Sequence, residues 1–442
     1  MCMRSYFQKV FFCLSITTCF FTLEAVSSQS IYRPRINLRN KNDYLSVLRT
    51  YIDRQNWSAL SNEIAQDVKK GHLTLDDIDA LAASQPESIF TRALQGTKKI
   101  LSFREKTGLN FNTLLPIACY AESVLANPKS ENLLVDAKKY GRELQYDPET
   151  RALFIHLGTH GVKPLGIGRK KVVTRTIKYD CKDPEMMARG VTTCNMKKEM
   201  TAMRALKGLP GLLNAEALMV HKDPKSKEKT YTFITKIFNA GSLQDLFDSK
   251  IKLSLKEKLQ IATDIISGIA SMQSHGFVHR DLGARNYFVE MHGKGKERIV
   301  HAVVADMGRT IPFSTCDGDA VQGNSSYISP EGFFRNKMKG SAYCQSDLFA
   351  VGCVMWNLLH DSPPAWRQAR SYKNEKLSLK DRYKHHLALI EKSRSKVKKG
   401  RSKDSVQSRF AALVFKMTDP NPKKRGTAVQ LHEEFKALLQ SV

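Results

Sequence analysis

The sequence predicts an α+β chain in three parts: a helical stretch, a short β-rich stretch and a longer helical one. Three observations carry this reading. Before residue 150, apolar side chains recur at helical spacing, as in Tyr44, Leu45, Leu48 and Tyr51 and again in Ile78, Leu81 and Ala82. From about residue 151 the texture changes to short runs rich in β-branched and aromatic residues, at 153–157, 172–179 and 231–238. After Leu255 long helical patterns take over. Turns at Asn127-Pro128-Lys129 and Asp147-Pro148 punctuate the first part, which carries no catalytic constellation and reads as a helical accessory domain over 31–150 that serves docking or scaffolding.

The 442 residues suffice for two or three domains, and 42% hydrophobic content excludes a globally disordered chain. Seventy Lys and Arg against 43 Asp and Glu give a formal charge of +27. Such an excess attracts acidic partners without choosing among protein, membrane and nucleic acid, so nucleic acid is not required by it. The excess is concentrated at 367–409, where fifteen cations face four acids around Leu387, Leu389 and Ile390. That stretch reads as a basic, helical insertion, either a dock for an acidic partner or a solvated spacer.

Residues 1–27 read as an export signal: Arg4 and Lys9, an apolar run from Val10 to Leu23, then Ala25-Val26-Ser27 for cleavage. The fourteen residues of that run fall short of the roughly 20 that span a bilayer, although an uncleaved anchor is the alternative, and no later stretch is apolar enough to cross. Outside the signal six cysteines are scattered with no CxxC pair, which suits free thiols rather than zinc or a disulfide framework. An exported chain with free thiols is expected to act in a reducing, nucleotide-rich space, and delivery into a host cell would supply one.

The chemistry is concentrated at 279–331. Phosphoryl transfer needs a carboxylate to orient the attacking hydroxyl and oxygen ligands for Mg²⁺. His279-Arg280-Asp281-Leu282-Gly283-Ala284-Arg285-Asn286 offers a carboxylate and an amide oxygen on one loop, and Val303-Val304-Ala305 leads as an apolar strand into Asp306-Met307-Gly308. Ser329-Pro330-Glu331 follows, with Glu331 25 residues after Asp306, then Ser346-Asp347-Leu348-Phe349 and finally Arg425.

In this order and spacing the segments resemble the eukaryotic-type protein kinases, and a secreted, bacterial eukaryotic-like form is the expectation. The resemblance covers about 151–440 and implies a two-lobed kinase-like fold that uses ATP and Mg²⁺ on a protein substrate. It implies Asp281 as base, flanked by Arg280, with Asn286 and Asp306 as metal ligands. It also implies that Asp347 bonds the catalytic-loop backbone and that Glu331 pairs with Arg425. In the nucleotide lobe it implies Glu199 on a helix C, Gly166, Gly168 and Val173 in a phosphate-covering loop where Lys171 replaces a third glycine, and a hinge at Phe238-Asn239-Ala240-Gly241-Ser242-Leu243. Gly158 and Gly161 offer an earlier position for that loop. Two registers compete for the cation that holds the phosphates and pairs with Glu199: Arg189 or the neighbouring Gly190 position after Met187-Ala188, or Lys178, 21 residues before Glu199. An Arg there cannot easily reproduce a lysine point charge, so a fold-retaining binding or scaffolding protein is the alternative function. A small-molecule phosphotransferase of the aminoglycoside type shares the Asp and Asn logic but normally lacks the Glu331–Arg425 pair. Arg285 resembles the tyrosine-kinase variant of the loop, whereas Gly323 to Glu331 resembles the Ser/Thr type, which is the one favoured.

Overall fold

The computed structural model describes residues 75–84, 88–103, 109–126, 134–137, 142–157, 163–167, 171–223, 225–249, 251–315, 327–338, 340–368, 378–398 and 405–442, with scattered residues between 48 and 66. The expected export signal, Gly158, Gly161, Gly168 and residues 316–326 lie outside the described residues. The chain divides into two compact units, 1–66 and 67–442. In the first, Leu48, Leu60 and Ile64 are buried. All that follows concerns the second.

It opens with three helices, α1 (Leu75–Ala83), α2 (Ile89–Leu101) and α3 (Phe111–Ala126). Ser88 starts α2 by accepting a hydrogen bond from Thr91 N, and the Arg92–Glu122 pair at 2.7 Å joins α2 to α3. Strands then take over earlier than the sequence pattern suggests. β1 (Leu134–Ala137) and β2 (Arg142–Asp147) precede β3 (Ala152–His156), β4 (Gly166–Ile167), β5 (Val172–Tyr179) and β6 (Glu185–Thr192). Helix α4 (Lys197–Ala205) comes next, then β7 (Ala215–Lys222) and β8 (Lys229–Lys236). The sheet runs β1-β2-β3-β5-β6-β8-β7, with β4 paired to β5. The expected boundary at 150/151 therefore falls within a continuous sheet. The expected turn at Asp147-Pro148 belongs to a hairpin, with Asp147 paired to Ala152. Buried His156 ties three of these strands together, bonding Gln145 and Thr176 at 2.8 Å each. Burial, with the Arg189 charge, holds its imidazole well below the usual range and so neutral.

The larger lobe contains α5 (Leu243–Asp248), α6 (Leu255–Ser274), β9 (Phe277–Val278), β10 (Tyr287–His292), β11 (Ile299–Val304) and β12 (Ile311–Pro312). Helices α7 (Ala342–His360), α8 (Ala365–Gln368), α9 (Leu379–Lys398), α10 (Val406–Met417) and α11 (Ala428–Gln440) follow. Capping boxes at Ser242/Asp245 and Ser254/Glu257 start α5 and α6. Helix α7 is buried almost throughout, from Leu348 to Leu359, because α6 and α10 pack against it within one hydrophobic core. The fold is thus α+β with the small sheet lobe before the large helical one. Among the described residues no helix is long and apolar enough to cross a membrane.

Within the basic insertion α9 is helical as expected, but it is no free spacer. Ile390 and His386 are buried, and Arg394 lies 3.3 Å from Asp419.

Candidate active site

A cleft of about 640 Å³ lies between the small sheet and the large lobe, a size that suits a small-molecule ligand. Its roof is the inner face of β4, β5 and β6, its back is Glu199 of α4, and its floor is formed by Asn286, Phe288, Asp306 and Met307. The segment that runs from β8 to α5 closes one end through Ile237, Phe238 and Gly241. Asn239 fixes that segment: its side-chain amide donates to Met291 O and its Oδ1 accepts from Met291 N, each at 2.8 Å. Phe238 stacks on Phe288 with centroids 5.8 Å apart.

The floor is held from below. Asp347, buried in α7, accepts from the backbone N–H of His279 at 2.7 Å and of Arg280 at 3.0 Å. Burial raises the Asp347 carboxyl above the usual range, and these donors oppose the rise. His279, fully buried, bonds Ala305 O through Nε2 at 2.9 Å and so joins the loop to the strand before Asp306. That strand is fixed to the junction after α4, because Val304 N donates to Gly211 O and Leu213 N to Val304 O, both at 2.8 Å. Arg280 and Asp306 both take positive φ, 65° and 61°, a conformation that costs energy in a non-glycine residue and persists only where surrounding bonds impose it. Arg280 donates through Nε to Arg309 O at 3.0 Å, and Arg309 Nε stands 3.2 Å from Asp281 Oδ2. Asn286 donates its side-chain N–H to Asp281 O at 2.6 Å, which turns its amide oxygen away from that loop.

Of the residues that the sequence places around this site, Gly166, Val173, Glu199, Asn286 and Asp306 line the cleft, and Asp281 and Arg280 lie on the loop that carries Asn286. The two candidate cations do not line it. Residues of a strand alternate between faces. Val173 and Ala188 line the cleft, so Lys178 and Arg189, odd-numbered steps away on their strands, point to the opposite face. Lys178 bonds Glu216, and Arg189 sits across from Ile234 of the outer hydrophobic cluster. Lys171 pairs with Glu199 instead. Two residues before Val173, it shares Val173's face, and its Nζ lies 2.5 Å from Glu199 Oε1 and 3.5 Å from Asp306 Oδ1. Burial raises the Glu199 carboxyl, and Lys171 opposes the rise. The sequence carried a signal for Lys171: it stands where the loop pattern wants glycine, and i, i+2 spacing from Val173 aims it inward. Arg309 carried no signal of its own.

Glu331, in the segment that resumes at Tyr327, is also anchored. Arg425, fully buried, grips Glu331 with two bonds of 2.5 and 2.9 Å and donates to Gln345 O and Asp419 O. Tyr327 packs on the catalytic loop; a Cβ at Gly283 would meet its ring at 2.8 Å, and its hydroxyl accepts from Ala284 N at 3.3 Å.

Asp306 and Asn286 suit Mg²⁺, being hard oxygen donors on one floor with the Asn286 amide oriented by its bond to Asp281 O. Among the described residues no three His, Cys, Asp or Glu cluster to hold a metal by themselves, so a cation here would share its oxygens with phosphate and water.

Residues 163–435 match the protein kinase domain model. The chain is similar to a probable serine/threonine-protein kinase of Dictyostelium discoideum, 24% identical over 231 residues that cover 51% of this chain and 12% of the relative. It is similar to rat dual specificity testis-specific protein kinase 2, 27% identical over 37% of this chain and 27% of that protein. It is also similar to human tyrosine-protein kinase FRK, 26% identical over 42% of this chain and 34% of that protein. The chain spans about a third or less of the length of these curated relatives.

Proposed function

The chain belongs to the protein kinase domain family, and from that premise we propose that it transfers the γ-phosphoryl group of ATP to a hydroxyl of a protein substrate, Ser or Thr in preference to Tyr. The observation that carries this reading is the convergence on one cleft of Asp306, Asn286 and the Lys171–Glu199 pair, with Asp281 held on the same loop as Asn286. Mg²⁺ and ATP, when bound, would supply the electrophile and the charge neutralisation of the transferred group. The protein's part is positional. Asp306 and Asn286 present oxygens to the metal, Asp281 orients and accepts the proton of the incoming hydroxyl, and Asp347 keeps the loop in its positive-φ conformation. The Ser/Thr preference draws on the Tyr327-to-Glu331 segment, its Tyr327 packed against Gly283 and Ala284.

Asp281→Asn is expected to lower turnover by roughly 10²–10⁴-fold, the usual contribution of a positioned general base, with Mg²⁺–ATP affinity nearly intact. Transfer of labelled phosphate from ATP by the mature protein, followed by phosphoamino-acid analysis, measures both claims. Turnover equal to wild type in Asp281→Asn would sink the assignment, and label on tyrosine alone would sink the preference. We propose further that the chain is exported, supported by the pattern of residues 1–27; an N-terminus beginning near residue 28 on the exported protein is the expected result.

A further inference from the structure

Position 190 is where a side chain from β6 would enter the cleft, because Gly190 sits two residues beyond Ala188, which lines it, and opposite Val173, which also lines it. No side chain fits there. A Cβ built on Gly190 would overlap the ring of its cross-strand partner Phe233. The ring thus fills the volume that a long side chain from β6 would need, while the charge arrives from the neighbouring strand. Lys171 lies with Nζ 5.3 Å from the centroid of that same ring, a distance at which the aromatic face attracts a cation, and reaches Glu199 and Asp306 beyond it. An ammonium has three donors, so it can hold a phosphate oxygen while bonded to these carboxylates.

We infer that Lys171 anchors the nucleotide's phosphates, and that Gly190 and Phe233 form with it a single exchange: a cation moved from β6 to the mouth of β5, with an aromatic ring in the space it left. This rests on the ATP-dependent reading above and adds a consequence to it. Lys171 stands at the edge of the β4–β5 hairpin that roofs the cleft. The anchor therefore belongs to the covering hairpin rather than to β6.

The test is a titration of full-length wild type, Lys171→Met and Lys178→Met with a fluorescent ATP analogue in Mg²⁺, alongside melting curves. Lys171→Met is expected to weaken nucleotide binding by about tenfold or more, the scale of one charge-assisted hydrogen bond, while Lys178→Met binds as wild type does. The triple variant Lys171→Met/Gly190→Lys/Phe233→Ala, which restores both space and charge at β6, is expected to regain a large part of the affinity. Wild-type affinity in Lys171→Met overturns the assignment. A triple variant that fails to fold, or that binds no better than Lys171→Met, overturns the exchange. Wild-type protein that binds no Mg²⁺–nucleotide overturns the premise, a result distinct from either.

Discussion

Gly190 has room for a hydrogen atom and nothing larger, and that makes it a sensitive position in the roof of the cleft. Gly190→Ala forces the Phe233 ring to move in a strand-to-strand contact with little slack, and overpacking of this kind typically costs ~1–3 kcal/mol. The expected outcome is a lower melting temperature for Gly190→Ala that Phe233→Leu in the same chain partly restores; equal loss in both would show that the ring is not the obstacle. The catalytic-loop residues were legible in the sequence because their roles depend on spacing within one loop, five residues from Asp281 to Asn286, and one loop can be read without knowing the fold. The phosphate-anchoring cation was not legible in the same way. Which cation faces Glu199 depends on the parity of β5 and β6, and parity depends on where each strand pairs. Lys178 had a reasonable separation from Glu199 along the chain and the wrong face. Lys171 had the right face, but its signal, a cation standing where the loop pattern wants glycine, was obscured by the neighbouring Arg169 and Lys170.

Two contacts decide whether elements of the large lobe stay together. Arg425, in the turn between α10 and α11, bonds Glu331, Gln345 O and Asp419 O, and its guanidinium lies 4.9 Å from the Phe349 ring of α7. Removing it leaves the Glu331 carboxylate without its partner, a change that for buried pairs typically costs ~3–5 kcal/mol. Arg425→Ala should therefore lower the melting temperature clearly, and a curve superimposable on wild type would refute a stabilising role. Helix α9 docks through His386, which is 1% exposed and packed beside Phe333 and Phe349 with centroids 5.2 and 6.4 Å away. Burial pushes its pKa from 6.5 down to about 4. The unfolded chain therefore takes up the proton first as pH falls, so the stability due to neutral His386 is whole above pH 6.5 and is lost progressively between 6.5 and about 4. At 1.36 kcal/mol per pKa unit the loss is on the order of 3 kcal/mol. His386→Phe should flatten the fall in melting temperature across that window, and an unchanged pH profile would place the acid sensitivity elsewhere. That α9 is helical was readable from its pattern. That it is tied to the lobe was not, because Ile390 and His386 are two buried residues in a segment dominated by lysine and arginine.

Across the whole molecule the charge of +27 is the property most open to partners, and fifteen of its cations lie in 367–409. With α9 seated by its apolar residues, Lys380, Lys384 and Lys392 remain exposed, and a dock for an acidic macromolecular substrate is the proposed use of that surface. Such binding is screened over a Debye length of ~8 Å at physiological salt. Replacing Lys380, Lys384 and Lys392 with Gln should slow phosphorylation of a whole acidic substrate, and flatten its salt dependence, while a short free peptide is phosphorylated at the wild-type rate; rates that fall together would refute the dock. The sheet carries a different lesson about where the catalytic unit can be cut. Because β2 pairs with β3 from Glu143–His156 to Asp147–Ala152, a polypeptide begun at 151 exposes a whole row of unsatisfied amides and carbonyls along β3. It would also remove Gln145 from His156, leaving a buried imidazole one partner short. Such a margin is adhesive, ready to template the addition of any extended strand it meets, a second copy of itself included. Protein begun at 151 should accordingly elute as self-associated species, whereas protein begun at 75 runs as a single species, so strand β2 is also the seam that keeps the nucleotide lobe from sticking to its own kind.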